Sequence, residues 1–417
     1  MNPFHERALP LNDCLLDWKA LTPRPYDKRT VDPYTRTRVI LMNGTEFENV
    51  WFSHQFSRHC PDNDLRRSLA LLRRSEQQQQ KLIAALKPDD ETLLEHTIGY
   101  EQLAVDLTAH LAKREPDAHV RDALNFALLE DFDHLYRYAD FLDMEDGVHA
   151  ESLVGGYTEI MPARPTIAHH RHPLDSIKQP IDGKTAAPQT KLCVGIITAA
   201  EQQTMNYYMN VCAAYPNTPG RALYREIGMI EEQHVSQYGS LMDVKCTWLE
   251  NLLMHQYTEC YLYWSCMETE TDESIRRVWE HMLRIELSHL HEAARLLSAA
   301  EGKEYQQVVG EGTFPAPLKL ESNVDHVRLI LAQTAQYTAS REGYTDLSKV
   351  NRDADFYRYQ HIVNHDEGAV ASHTVIDQHV RIFGKDYRFE KAENPIPVLR
   401  DRAVDNTLLG RRPYPTA

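Results

Sequence analysis

Three stretches of this chain set carboxylates on the stripe where an amphipathic helix should be apolar, and a packed fold cannot bury them without a counter-charge. Leu94, Ile98, Glu101, Val105, Thr108 and Ala112 recur at alternating intervals of four and three. So do Leu124, Leu128, Asp131, Leu135, Tyr138 and Leu142, and again Val194, Thr198, Glu201, Met205, Tyr208 and Cys212. Glu101, Asp131 and Glu201 are therefore aimed at a helical core. An unpaired ionised carboxylate there costs several kcal/mol, and several at one level repel each other unless cations lie between them.

The spacing organises these stretches into hairpins. Glu101 is followed 30 residues later by Asp131-Phe132-Asp133-His134, with Pro116 at the midpoint. Glu201 is followed 30 residues later by Glu231-Glu232-Gln233-His234, with Pro216 at the midpoint. Residues equidistant from a turn share a level in an antiparallel pair, so each lone Glu faces the carboxylate of its returning helix. On that helix the carboxylate and the imidazole, at i and i+3, lie on one face. Glu259 and Glu286-Leu287-Ser288-His289 repeat the pattern about a tighter turn at Asp272. An offset of 100 residues aligns the first two hairpins, matching Glu101-Gln102 with Glu201-Gln202 and His134 with His234.

Around these hairpins the chain reads as mainly helical. Residues 1–62 carry Pro, Asp and Asn punctuation and a β-like run, Arg38 to Met42, before the turn signal Asn43-Gly44, which predicts an irregular N-terminal segment. A leading helix starts near Asp64 and stops at Pro88, with Gln77 to Gln80 expected on its solvated face. Residues 145–190 hold five prolines and His169-His170-Arg171-His172, and predict a long crossover whose histidines are exposed. The third hairpin spans 244–300. Residues 301–417 predict a helical extension, with helices around His326 to Thr338 and Asp353 to Phe383, and a Pro- and Arg-rich tail.

The pattern resembles the ferritin-like di-iron or di-manganese carboxylate superfamily. Its bundle places a Glu on each of two helices and Glu-x-x-His on each of the other two, with a long connection between the second and third. The resemblance covers residues 89–243 and implies a ferritin-like four-helix bundle over 63–243, with Glu101, Asp131, His134, Glu201, Glu231 and His234 as metal ligands. Asp131 departs from the family's Glu and reaches one methylene less; Glu130 is a substitute that lies off the stripe. Glu259, Glu286 and His289 then form a candidate second half-site. An alternative centre made by the second and third hairpins ranks below the first, because their short connection does not reproduce the family's paired arrangement.

The resemblance implies a non-haem oxidoreductase that uses dioxygen or peroxide, with an electron donor, to oxidise a small organic substrate. Its cofactor would be two iron ions, with manganese or a mixed pair as alternatives. A ferroxidase or metal-handling protein, and a metal-stabilised structural bundle, are the competing readings. A net charge of −16 argues against nucleic acid and anionic membranes as partners. Seven scattered cysteines without a C-x-x-C pair, and no secretory or membrane-length apolar run, place the chain in the cytoplasm. A homodimer is compatible with this reading.

Overall fold

The computed structural model describes residues 1–404 and 406–412 and is mainly helical. Four long helices open the chain: α1 (Pro33–His59), α2 (Asn63–Ala84), α3 (Leu93–Arg114) and α4 (Ala118–Asp146). The short helices α5 (Ala150–Val154) and α6 (Thr166–His169) interrupt the crossover. Four more long helices follow: α7 (Pro188–Ala214), α8 (Thr218–Ser240), α9 (Trp248–Thr269) and α10 (Glu273–Glu301). After α11 (Gln306–Val309) and α12 (Val324–Thr334), strands β1 (Tyr337–Ser340) and β2 (Gly343–Asp346) pair antiparallel with Tyr337 opposite Asp346. The helices α13 (Asp355–Val363) and α14 (Ala371–Phe383) complete the regular structure. Among the described residues no helix is long and apolar enough to cross a membrane.

The long helices are two copies of one four-helix pattern. The constant shift that carries Pro33 to Pro188 lays α1 on α7, both of 27 residues, α3 on α9, both of 22, and α4 on α10, both of 29. Their end signals correspond too. Thr92 with Glu95, and Thr247 with Glu250, form capping boxes in which each side chain satisfies the other's backbone N–H. Asp117 and Asp272 cap α4 and α10, and Gly147 and Gly302 end them at φ 65°, a left-handed conformation that favours glycine. This ungapped shift supersedes the offset of 100 residues as the chain's internal repeat.

The chain divides into two compact units, and each takes one hairpin from each copy. Unit 1 comprises Met1–Glu91, Ile181–Gln203 and Met242–Leu320; unit 2 comprises Thr92–Pro180, Thr204–Leu241 and the described residues from Glu321 onward. The division falls within α7. In unit 1, α1 pairs with α2 and α9 with α10, while α1 also packs on α9 and α2 on α10. In unit 2, α3 pairs with α4, α4 packs on α8, and α14 covers both α4 and α8.

Several expectations change. Residues 33–59 form a buried helix rather than part of an irregular segment, and Arg38 to Met42 lie within it. The run looks β-like because both sides of this part of α1 are buried, which removes the polar face that marks a helix in sequence. Gly44 is no turn: a Cβ there would stand 2.8 Å from Gln203 Cβ, so the glycine lets α1 approach α7 closely. Gln79 and Gln80 are buried, so the glutamine run is not a solvated face. The leading helix α2 belongs to unit 1, not to the unit that holds α3, α4 and α8. The C-terminal helix near His326 ends at Thr334, with Thr338 in β1, and the stretch from Asp353 to Phe383 is two helices. Arg388 and Asn394 of the tail are buried in unit 2, whereas residues 413–417 lie outside the described residues.

The close approach at Gly44 is testable. Gly44→Val overpacks the α1–α7 contact and should cost about 1–3 kcal/mol of unfolding free energy in urea. An unchanged midpoint would show that the helices are not in contact there.

Candidate metal centre

The helices of unit 2 converge their inward carboxylates and imidazoles on one buried centre. Glu101 comes from α3, Asp131 and His134 from α4, and Glu231 and His234 from α8; all five are at most 1% exposed. Ligand atoms of Glu101, His134 and Glu231 lie within 4.8 Å of one another. Those of Asp131, Glu231 and His234 do the same. Unit 2 thus brings together five of the six residues of the first two hairpins, and the sixth, Glu201, lies on the part of α7 that belongs to unit 1. Glu231 belongs to both groups.

The imidazoles are turned inward through Nδ1. His134 Nδ1 stands 2.9 Å from Glu231 Oε1, and His234 Nδ1 stands 3.3 Å from both Asp131 Oδ1 and Glu231 Oε2. Burial opposes the charge on Glu231, but the two imidazoles prevail and hold its carboxyl down at about 2. On the outer side, His234 Nε2 lies 2.8 Å from Glu130 Oε2. That contact fixes the ring: when Nε2 carries the proton and donates to Glu130, Nδ1 keeps its lone pair for the centre.

Glu130, the substitute for Asp131 that lies off the stripe, is in neither ligand group. It stands behind His234 as its outer partner, and its own charge is matched by two guanidinium groups from the crossover. Arg171 donates to Glu130 Oε1 at 3.1 Å and Oε2 at 2.9 Å, and Arg164 donates to Oε1 at 3.2 Å. Burial would raise the Glu130 carboxyl, yet Arg171, His234 and Arg164 bring it well below the usual range. Both arginines also lie over the Phe126 ring, 4.7 and 5.3 Å from its centroid.

The crossover is accordingly a wall of unit 2 rather than an exposed loop. His169, His170 and Arg171 are buried, which corrects the expectation of exposed histidines. His169 packs beside His134 with ring centroids 5.6 Å apart, and Thr166 donates to Asp133. Gln102 donates to Val154 O and Thr158, and Thr158 donates to Asp106, fastening α3 to the same segment. No periodicity announces these contacts, since each comes from a single side chain in a Pro-rich stretch.

Tyrosines crowd the opposite side. The Tyr208 hydroxyl donates to Glu101 Oε1. Tyr138, Tyr208 and Tyr224 are fully buried with centroids 4.9 to 5.5 Å apart, and burial raises all three phenols well above their ordinary value. They stay neutral at ordinary pH.

Glu259, Glu286 and His289 lie elsewhere, in unit 1, on α9 and α10. Their facing carboxylates are Glu46 on α1 and Glu76 on α2, which the sequence reading passed over. The signal was present: Glu46 and Glu76 are 30 residues apart about Pro61, the interval already seen in the first two hairpins. The third hairpin is thus paired with α1 and α2, not with the second hairpin.

No family, curated protein or solved structure matches this chain.

Two predictions follow from the outer wall. Glu130→Gln keeps the shape but strips two buried guanidinium groups of their counter-charge, and should cost about 3–5 kcal/mol in urea unfolding; a loss below about 1 kcal/mol would contradict this role. His170 is pushed down to about 4 by burial, so it stays neutral in the folded chain while the unfolded chain takes up a proton below about pH 6.5. Folding stability from this group is therefore complete above pH 6.5 and is lost as pH falls toward 4. Between pH 7 and pH 5 the native protein should lose about 2 kcal/mol more than His170→Leu; equal losses would refute it.

Proposed function

We propose that unit 2 works as a ferritin-like, non-haem di-metal carboxylate oxidoreductase. It would hold two iron ions, or manganese in their place, and use dioxygen or peroxide to oxidise a small organic substrate. The observation that carries this reading is Glu231, one buried carboxylate common to two ligand groups that each contain an imidazole. Carboxylate and imidazole without thiolate suit Fe(II) or Mn(II). Glu101, His134 and Glu231 would hold one ion, and Asp131, Glu231 and His234 the other. A bound pair supplies the redox capacity that dioxygen or peroxide chemistry needs.

The protein's own residues prepare the place. Glu130, clamped by Arg164 and Arg171, holds the proton on His234 Nε2 so that Nδ1 faces Asp131 and Glu231. The Tyr208 hydroxyl orients Glu101. Arg164, Thr166, His169 and Arg171 of the crossover keep bulk water from the centre, where a low dielectric strengthens each interaction. A reducing cytoplasm, where the seven free thiols would persist, and an external electron donor belong to the same reading.

The test is metal analysis and oxygen uptake on protein purified without air. Native protein should carry iron or manganese and consume oxygen when a reductant and substrate are supplied. Glu231→Gln should lose metal from both groups and slow oxygen uptake by at least about 100-fold. Native protein that takes up no metal, or an unaffected variant, would overturn the proposal; oxygen uptake driven by Fe(II) alone would instead indicate a ferroxidase.

A further inference from the structure

The repeat shift that superposes the two copies sets unit 1 beside unit 2 residue by residue. Glu46, Glu76 and Gln79 correspond to Glu201, Glu231 and His234, and Gln256, Glu286 and His289 correspond to Asp131's hairpin, at Glu101, Asp131 and His134. Two of the six positions are amides, so unit 1 cannot repeat the centre of unit 2. It has one addition, Glu259 on α9, three residues after Gln256.

In the half that lost its imidazole, Glu46 is engaged through Oε1, while its Oε2 has no hydrogen-bond partner among the described residues. Gln79 Nε2 donates to Glu46 Oε1 at 3.1 Å, and the Tyr263 hydroxyl donates to the same oxygen. The other half keeps its imidazole and gathers three carboxylates. Asn49 and Gln256 donate to Glu76 Oε1 and Glu259 Oε2, drawing these two carboxylates together. His289 Nδ1 lies 3.0 Å from Glu286 Oε1 and 4.0 Å from Glu76 Oε1, so the imidazole is turned toward the same carboxylates. Glu76, Glu259, Glu286 and His289 are at most 1% exposed. Yet among the described residues Glu76 Oε2, Glu259 Oε1 and Glu286 Oε2 have no hydrogen-bond partner, and neither has His289 Nε2. Three carboxylate oxygens sealed from water and left without donors are too costly to persist as free anions.

We propose that unit 1 binds a single divalent first-row cation through Glu76, Glu259, Glu286 and His289, independently of the pair in unit 2. Three carboxylates with one imidazole suit Mn(II) or Fe(II), and Gln79 in the place of His234 limits the site to one ion. The cation would supply the counter-charge these buried carboxylates lack and let α2, α9 and α10 meet through polar residues at their common core. Unit 1 would then be a one-ion counterpart of unit 2, present in the same chain from the same ancestral pattern.

The test loads metal-free full-length protein with Mn(II) under argon, removes unbound ion, and combines metal analysis with electron paramagnetic resonance. An isolated Mn(II) gives a six-line signal that a coupled pair does not. Native protein should show the isolated signal, and His289→Gln should lose one ion per chain together with that signal. Glu231→Gln should keep the isolated signal while losing the pair. If His289→Gln does not fold by circular dichroism, Glu259→Gln, which leaves the imidazole in place, should show the same loss. An isolated signal that survives in the folded His289→Gln or Glu259→Gln variant, or native protein with no isolated ion, would overturn the inference. An isolated ion without any coupled pair would sink the proposed function of unit 2 and leave this site standing.

Discussion

The cost of burying carboxylates governs both units. Helices that pack into a core normally turn apolar side chains inward, and here eight of the inward groups are Glu or Asp: Glu101, Asp131, Glu201 and Glu231, then Glu46, Glu76, Glu259 and Glu286. Each would be disfavoured alone, and more so beside its neighbours. The helices must therefore be long, well capped and packed widely elsewhere to hold such groups together. The paired capping boxes at Thr92 and Thr247 and the Asp caps at Asp117 and Asp272 serve this end.

The two units neutralise the charge differently, and the difference lies in a few side chains. In unit 2, Glu101, Asp131 and Glu231 each have an imidazole near them, and the imidazole of His234 is backed by Glu130, itself balanced by Arg164 and Arg171. In unit 1, Gln79, Gln256 and Asn49 supply amide hydrogens instead, which satisfy some oxygens and leave others bare. A duplicated pattern has thus kept its helices, caps and lengths while its polar interior has diverged. That each unit draws one hairpin from each copy explains why the fuller ligand set does not follow either copy along the chain.

The hairpins were legible in sequence because mirror spacing about a turn is a geometric signal that survives without any alignment. Glu101 with Asp131, and Glu201 with Glu231, stand out since their neighbours at intervals of three and four are apolar. Glu46 and Glu76 obey the same spacing but were hidden. The residues around Glu46 are buried on more than one side, so α1 lacks the polar face that marks a helix, and Arg38 to Met42 imitates a strand. The outer shell was hidden for another reason. Arg164, Arg171 and His169 act one at a time from an irregular segment, and only three-dimensional proximity connects them to Glu130 and His134.

Cations should occupy the space among these carboxylates. Anomalous diffraction recorded on either side of the iron absorption edge, from crystals of full-length protein loaded with Fe(II) without air, tests it most directly. The account predicts peaks adjoining Glu231, flanked by His134 and His234. A well-ordered unit 2 with no anomalous peak beside Glu231 would contradict it.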